Sequence, residues 1–78
     1  MPTILRLFGW RFYFYSDECT EPPHIHIATY GGECKYWLSP VRLDKSENVK
    51  PSDMRKIEIT LMENENFILE KWNEYFTN

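Results

Sequence analysis

Gly31-Gly32 is flanked on both sides by runs that alternate apolar and polar residues, and this constrains the fold more than any other feature of the chain. Two glycines free to take positive φ between strand-like runs read as a hairpin turn. The run before them, residues 24–30, is preceded by Pro22-Pro23, which fix their own φ and hold the chain extended. The run after them, residues 33–39, stops at Pro40. A two-residue turn pairs Tyr30 with Glu33, so that Ala28 faces Lys35, Ile27 faces Tyr36, His26 faces Trp37, Ile25 faces Leu38 and His24 faces Ser39. Side chains alternate with a period of two. One face then carries Ile25, Ile27, Thr29, Cys34, Tyr36 and Leu38 and reads as core. The other carries His24, His26, Ala28, Glu33, Lys35, Trp37 and Ser39. Moving the turn by one residue mixes these sets, setting Ile27 against Lys35 and Ile25 against Trp37.

The rest of the chain supplies the remaining layers. Residues 4–7 and 10–15 are β-rich runs about Phe8-Gly9, a second hairpin signal. In the latter run Trp10, Phe12 and Phe14 share one face, and Arg11, Tyr13 and Tyr15 the other. Residues 16–21 form a polar loop. After Pro40, Val41-Arg42-Leu43 reads as a short edge strand and residues 44–50 as a polar loop. Pro51-Ser52-Asp53 opens a helix with Ser52 or Asp53 as cap, and Met54, Ile57 and Leu61 follow at helical spacing. Asn64-Glu65-Asn66 interrupts the pattern, with Asn66 as a second cap, although one bent helix has the same spacing. Ile68, Leu69, Trp72, Tyr75 and Phe76 then form an apolar stripe. Strands first and helices last predict an α+β fold. The expected architecture is a small, mostly antiparallel sheet of about four strands in the N-terminal half, followed by two C-terminal helices packed on one face. A single domain spans residues 1–78.

A chain of 78 residues buries only about 60% of its unfolded surface, so its core must be dense. Five Phe, five Tyr and three Trp supply that density, since each aromatic buries roughly 150–250 Å². A net charge of −3 argues against a protein whose main task is coating phosphate backbones, although Arg6, Arg11, Lys35 and Arg42 are available to cluster. The opening Met1-Pro2-Thr3-Ile4-Leu5-Arg6 lacks the apolar core of a secretory signal, and no apolar run approaches the ~20 residues that span a bilayer. Two cysteines, Cys19 and Cys34, are read as free thiols of a cytoplasmic protein.

Both histidines of the chain lie in His24-Ile25-His26, so any imidazole chemistry occurs there. Two imidazoles with ordinary pKa values near ~6.5 supply an acid and a base at neutral pH, and Lys35 beside them would steady a developing oxyanion. That is the minimal set for metal-free RNA cleavage, in which the 2′-hydroxyl attacks its own phosphate. Alternate strand positions put the two Cβ atoms about 6–7 Å apart, close enough to flank one phosphorus. A zinc ion needs three or four protein ligands. Only Glu33, Glu18, Asp17 and Cys19 are at hand to complete a set, so no metal and no cofactor is assigned. The histidine-triad hydrolases carry a third histidine where this chain has Ala28. The two-histidine phosphoesterases need His-x-Thr or His-x-Ser twice, which His26-Ile27-Ala28 does not give. Trp37, on the face opposite the core, is a typical interface anchor. It turns the reading toward a contact surface made of His24, His26, Glu33, Lys35 and Trp37. The ordinary alternative is a solvated face whose imidazoles bond to Ser39, Glu33 or backbone.

Several segments together resemble domain-of-unknown-function family 4160. They are Met1-Pro2-Thr3-Ile4-Leu5-Arg6, Phe12-Tyr13-Phe14-Tyr15-Ser16, Pro22-Pro23-His24-Ile25-His26, Gly32-Glu33-Cys34-Lys35-Tyr36-Trp37-Leu38 and Glu70-Lys71-Trp72-Asn73-Glu74-Tyr75-Phe76. Departures are small: Cys34 stands where alanine is common, the loop 44–50 is freer, and Asp17-Glu18-Cys19 replaces an Asn or Asp and a small gap. The resemblance implies a small prokaryotic cytosolic α+β protein with no established activity. It also implies a gene beside a second small gene of unknown function, in a pair like a toxin–antitoxin module. The expected role is a protein-interaction component whose partner is the small protein encoded by that adjacent gene. The alternative is a metal-independent ribonuclease or phosphodiesterase using His24, His26 and Lys35. Self-association through an exposed edge strand is a further expectation; RNA is a less favoured partner and a membrane is not expected.

Overall fold

The computed structural model describes residues 2–15 and 20–76. Five strands, β1 (Thr3–Leu7), β2 (Trp10–Tyr13), β3 (His24–Ala28), β4 (Glu33–Leu38) and β5 (Val41–Glu47), form one antiparallel sheet in sequence order. Two helices follow, α1 (Pro51–Glu63) and α2 (Glu65–Phe76). The α+β architecture is as expected, with one strand more than the sequence indicated. The fifth strand is the short edge strand read at Val41-Arg42-Leu43, which here runs on to Glu47. Residues 44–47, read above as loop, stay paired with β4 out to Glu47 opposite Glu33. An edge strand that is exposed along nearly its whole length carries no hydrophobic alternation to announce it.

The central hairpin differs in register. Ala28 pairs with Glu33, His26 with Lys35 and His24 with Trp37, so the loop runs over four residues, 29–32, rather than two. It is closed by the Thr29 N–H donating to the Gly32 carbonyl at 2.9 Å. Contacts from Asn48, the residue after β5, account for the longer loop. The Asn48 side chain donates to the Gly31 carbonyl at 2.7 Å, with Gly31 at φ 90°, where only glycine sits without strain. Gly32 lies so close to Asn48 that a Cβ there would overlap the Asn48 carbonyl. Because the slip is two residues, every side chain of β3 and β4 keeps its face.

One face of the sheet is the core. Phe12, Ile27 and Cys34 lie side by side across β2, β3 and β4, with Ile25, Tyr36 and Leu38 beside them and Ile57, Leu61 and Ile68 closing over from the helices. The Tyr36 hydroxyl donates to Glu58 Oε2 at 2.8 Å, which satisfies the one polar atom that this buried ring brings into the helix–sheet layer. The cap of α1 is Lys50 rather than Ser52 or Asp53. Pro51 stands at the first helical position, where a missing N–H leaves nothing unbonded. The helices part at Asn64, not Asn66. The Asn64 N–H reaches the Thr60 and Leu61 carbonyls and its side chain the Thr60 carbonyl at 2.8 Å, while its own carbonyl accepts the Ile68 N–H.

Both edges of the sheet are irregular. The register of β1 on β2 shifts between Thr3 and Leu5, and that of β5 on β4 shifts at Lys35–Tyr36, leaving Asp44 as the extra residue. Bulges at both edges disfavour addition of another strand. Gly32→Ala drives a side chain into the Asn48 backbone and is expected to cost about 2 kcal/mol of stability, in the range of overpacked sites. Urea denaturation of the two proteins checks this, and an unchanged midpoint would contradict it.

Candidate functional site

On the face away from the core, aromatic and imidazole rings run across the sheet. His24 opens β3 directly after Pro22-Pro23 and is fully buried, 0% exposed. Its Nδ1 lies 2.9 Å from the Pro22 carbonyl; a carbonyl only accepts, so Nδ1 carries the proton and donates. Its Nε2 faces Glu21 Oε1 at 3.6 Å. The ring packs against His26, Trp37 and Trp72 with centroids 5.2, 5.6 and 5.0 Å away. Trp72 also meets Phe14 edge-on at 5.2 Å, so α2 reaches the His24 end of the sheet. His26, half-buried, stacks on Tyr13 at 5.5 Å and takes the edge of Tyr15 at 4.4 Å. The Arg11 guanidinium lies over Tyr13 at 4.3 Å, and its Nε donates to Thr3 Oγ1 at 2.7 Å.

Lys35 fixes the other side of this layer. It is 7% exposed, with Nζ 2.8 Å from Glu21 Oε1 and 3.5 Å from Asp44 Oδ2, and it lies over Trp37 at 4.6 Å. Burial alone would lower its pKa. The hydrogen bond and charge of Glu21, then Asp44, outweigh burial and hold it above the ordinary lysine value, so it is an ammonium at neutral pH. Glu21 thus ties the β2–β3 loop down onto β4, and the Leu38 N–H donating to the Pro23 carbonyl at 3.1 Å does the same three residues further along β4.

Of the residues singled out by sequence, His24, His26, Lys35 and Trp37 come together, and Glu33 lies exposed on the same face one pleat beyond Lys35. Next to them is an open hollow of about 470 Å³ whose lining includes Tyr15, His26, Glu33, Lys35, Lys45 and Glu47. The β4–β5 register sets Glu33 opposite Glu47 and Lys35 opposite Lys45, giving the hollow mixed charge. For acid–base work the arrangement offers one accessible imidazole, not two, and a lysine whose charge is already matched by carboxylates. Among the described residues no group of three or more His, Cys, Asp or Glu is placed to hold a metal ion; Asp17, Glu18 and Cys19 lie outside the described residues. Cys34 is buried on the core face. Burial first, then the charges of Glu33 and Glu58, push its thiol up to about 12, so it is protonated at neutral pH and a poor nucleophile.

Sequence reasoning left out Tyr13, Tyr15, Glu21, Asp44 and Trp72. The signal for the tyrosines was present, since they alternate with Phe12 and Phe14 onto the histidine face. Trp72 belongs to the apolar stripe of α2, but nothing in that stripe says that its ring reaches His24. Glu21 and Asp44 lie in polar segments that carry no pattern at all.

The geometry defines a small two-layer α+β protein, a five-stranded antiparallel meander with helices on one face and a tethered aromatic–histidine layer on the other. The chain belongs to the domain of unknown function family DUF4160, whose model matches residues 9–73. No curated protein and no solved structure matches it. Among the described residues, no helix is long and apolar enough to cross a membrane.

The raised thiol value has a consequence for stability. A group whose folded pKa lies above its unfolded one contributes stability below the unfolded value and loses it as pH rises toward the folded one. For Cys34 that window runs from 9.0 to about 12. Tyr13 and Tyr36, raised above their ordinary 10.0 first by burial, act with the same sign but start higher. Cys34→Ala is therefore expected to begin its alkaline loss of stability about one pH unit above wild type. Denaturant midpoints across the alkaline range read this out, and coincident curves for the two proteins would contradict it.

Proposed function

We propose that this chain is a protein-interaction component of a two-protein, toxin–antitoxin-like module of the prokaryotic cytoplasm. Its partner is a small protein encoded by an adjacent gene, and the surface it offers is the histidine face of the sheet. Within that surface Trp37, His26 and Glu33 make the contact, while His24 and Lys35 lie beneath as supports. The observation that carries this reading is the engagement of His24 and Lys35 inside the chain. An acid–base enzyme would leave both groups facing a substrate, whereas here one ring is sealed and the ammonium is clamped by Glu21. A half-buried tryptophan with a cation over its face and a rim of mixed charge are the composition of a contact surface. The acidic net charge favours a protein over a nucleic-acid partner.

The ribonuclease reading keeps one observation in its favour, that His26, Lys35 and Lys45 line the same hollow. It requires RNA cleavage that disappears in His26→Ala.

Co-expression of the chain with the product of the adjacent gene, followed by size-exclusion chromatography and titration calorimetry, tests the interaction role. A stoichiometric complex is expected, with Trp37→Ala weakening it at least about tenfold, the effect of removing an interface anchor. Absence of a complex, together with RNA cleavage by the wild type, would replace this reading with the enzymatic one.

A further inference from the structure

We infer that two copies of this chain pair antiparallel through the outer face of α1, the side turned away from the sheet. Helical spacing puts Ser52, Arg55, Ile59 and Met62 on one stripe, at alternating steps of three and four residues. All four are exposed. Ile57 and Leu61, which α1 turns to the core, lie on the opposite side of the helix.

That stripe does not suit a helix side that meets only water. An amphipathic helix keeps its polar residues outside, yet α1 buries Thr60, 6% exposed, and leaves Ile59 and Met62 outside at 51% and 60%. Single exposed apolar residues are ordinary, but these two adjoin each other at the centre of the stripe, and charge stands at either end. Arg55 and Lys56 lie toward the N-terminus of the helix and Glu63 ends it. Lys56 and Glu63 are one heptad apart, close to two full turns, so they share one flank of the stripe. Among the described residues Arg55 and Glu63 form no ion pair. The Lys56 ammonium lies over Phe8 at 5.5 Å, a contact with a neutral ring that leaves its charge unmatched.

A second copy running in the reverse direction accounts for both features. Ile59 of one copy packs beside Met62 of the other, covering the apolar centre from both sides. The flanks then meet their opposites, Lys56 against Glu63, and the two-fold axis makes each contact twice, as an isologous interface requires. A parallel pair would bring cation to cation and anion to anion, so the charge pattern selects the antiparallel one. A single helix pair is a small interface, which makes the dimer weak and reversible. It also leaves the histidine face free. The sheet lies between that face and α1, so Trp37, His26 and Glu33 stay open to the other protein.

Sedimentation equilibrium into the millimolar range on wild type, Lys56→Glu, Glu63→Lys and an equimolar mixture of the two variants tests the inference. Wild type is expected to dimerise. Each variant alone should associate about tenfold more weakly, because both copies of the flank contact become repulsive. The mixture should recover wild-type association, since each altered flank then meets its opposite. Ile59→Gln, a good helix former, should weaken association at least as much by removing the apolar centre. Circular dichroism verifies folding. The double variant Lys56→Glu/Glu63→Lys restores both contacts and should dimerise like wild type, which separates lost contact from lost fold. A wild type monomeric at every concentration, single variants that associate like wild type, or a mixture no tighter than its components would overturn the inference. Binding of the adjacent-gene product is measured on the opposite side of the molecule, so failure here leaves the interaction role standing.

Discussion

The hydrogen bond from the buried His24 Nδ1–H to the Pro22 carbonyl is the contact on which the histidine face depends. A buried imidazole without partners would cost about 1–3 kcal/mol in lost hydrogen bonding. Here one nitrogen is satisfied by the loop that delivers the residue, and the ring edges are filled by His26, Trp37 and Trp72. That placement joins the β2–β3 loop, two strands and α2 at one side chain. Lys35 repeats the arrangement from β4, with Glu21 holding the same loop from the other side. A meander this short has only one helical layer, so its second face would otherwise be open to water. The loop and the packed rings, mostly edge-to-face, give that face a partial cover, and the surface left accessible is small, aromatic and bordered by charge.

The tethering separates two histidines that the sequence presents as a pair. Two imidazoles on alternate positions of a strand do share a face and do lie close, as acid–base chemistry would need. The decisive variable is access. His24 is closed off by Trp72 and the diproline loop, while His26 stands at the margin of the hollow beside Tyr15 and Lys45. The pair therefore divides into one sealed ring and one at the margin of the hollow, although the two are only two residues apart.

Much of this was legible in the sequence; the helix caps, at Lys50 and Asn64, were misplaced locally, and the other misses share one physical reason. The sorting of Ile25, Ile27, Cys34, Tyr36 and Leu38 to the core and of His24, His26, Lys35 and Trp37 to the other face followed from a period of two, which a slip of two residues leaves intact. Loop length did not follow. Gly31-Gly32 suits both a two-residue turn and the second half of a four-residue loop, and the choice is made by Asn48, 17 residues from Gly31. Glu21 and Lys35 are 14 apart, and Trp72 reaches His24 across most of the chain. β5 is paired by its backbone while its side chains face water, so its extent left no hydrophobic trace. Local alternation is written in neighbouring residues; closure of the histidine face is written in contacts between distant ones.

Packing and the Pro22 carbonyl make His24 a sealed imidazole with its proton held on Nδ1. Long-range proton–nitrogen correlation spectra of the two histidine rings, with solvent-exchange rates for the ring protons, test it most directly. A proton resident on His24 Nδ1 is expected, exchanging with water far more slowly than any ring proton of His26. A His24 ring with its lone pair at Nδ1, or one exchanging as fast as His26, would contradict it.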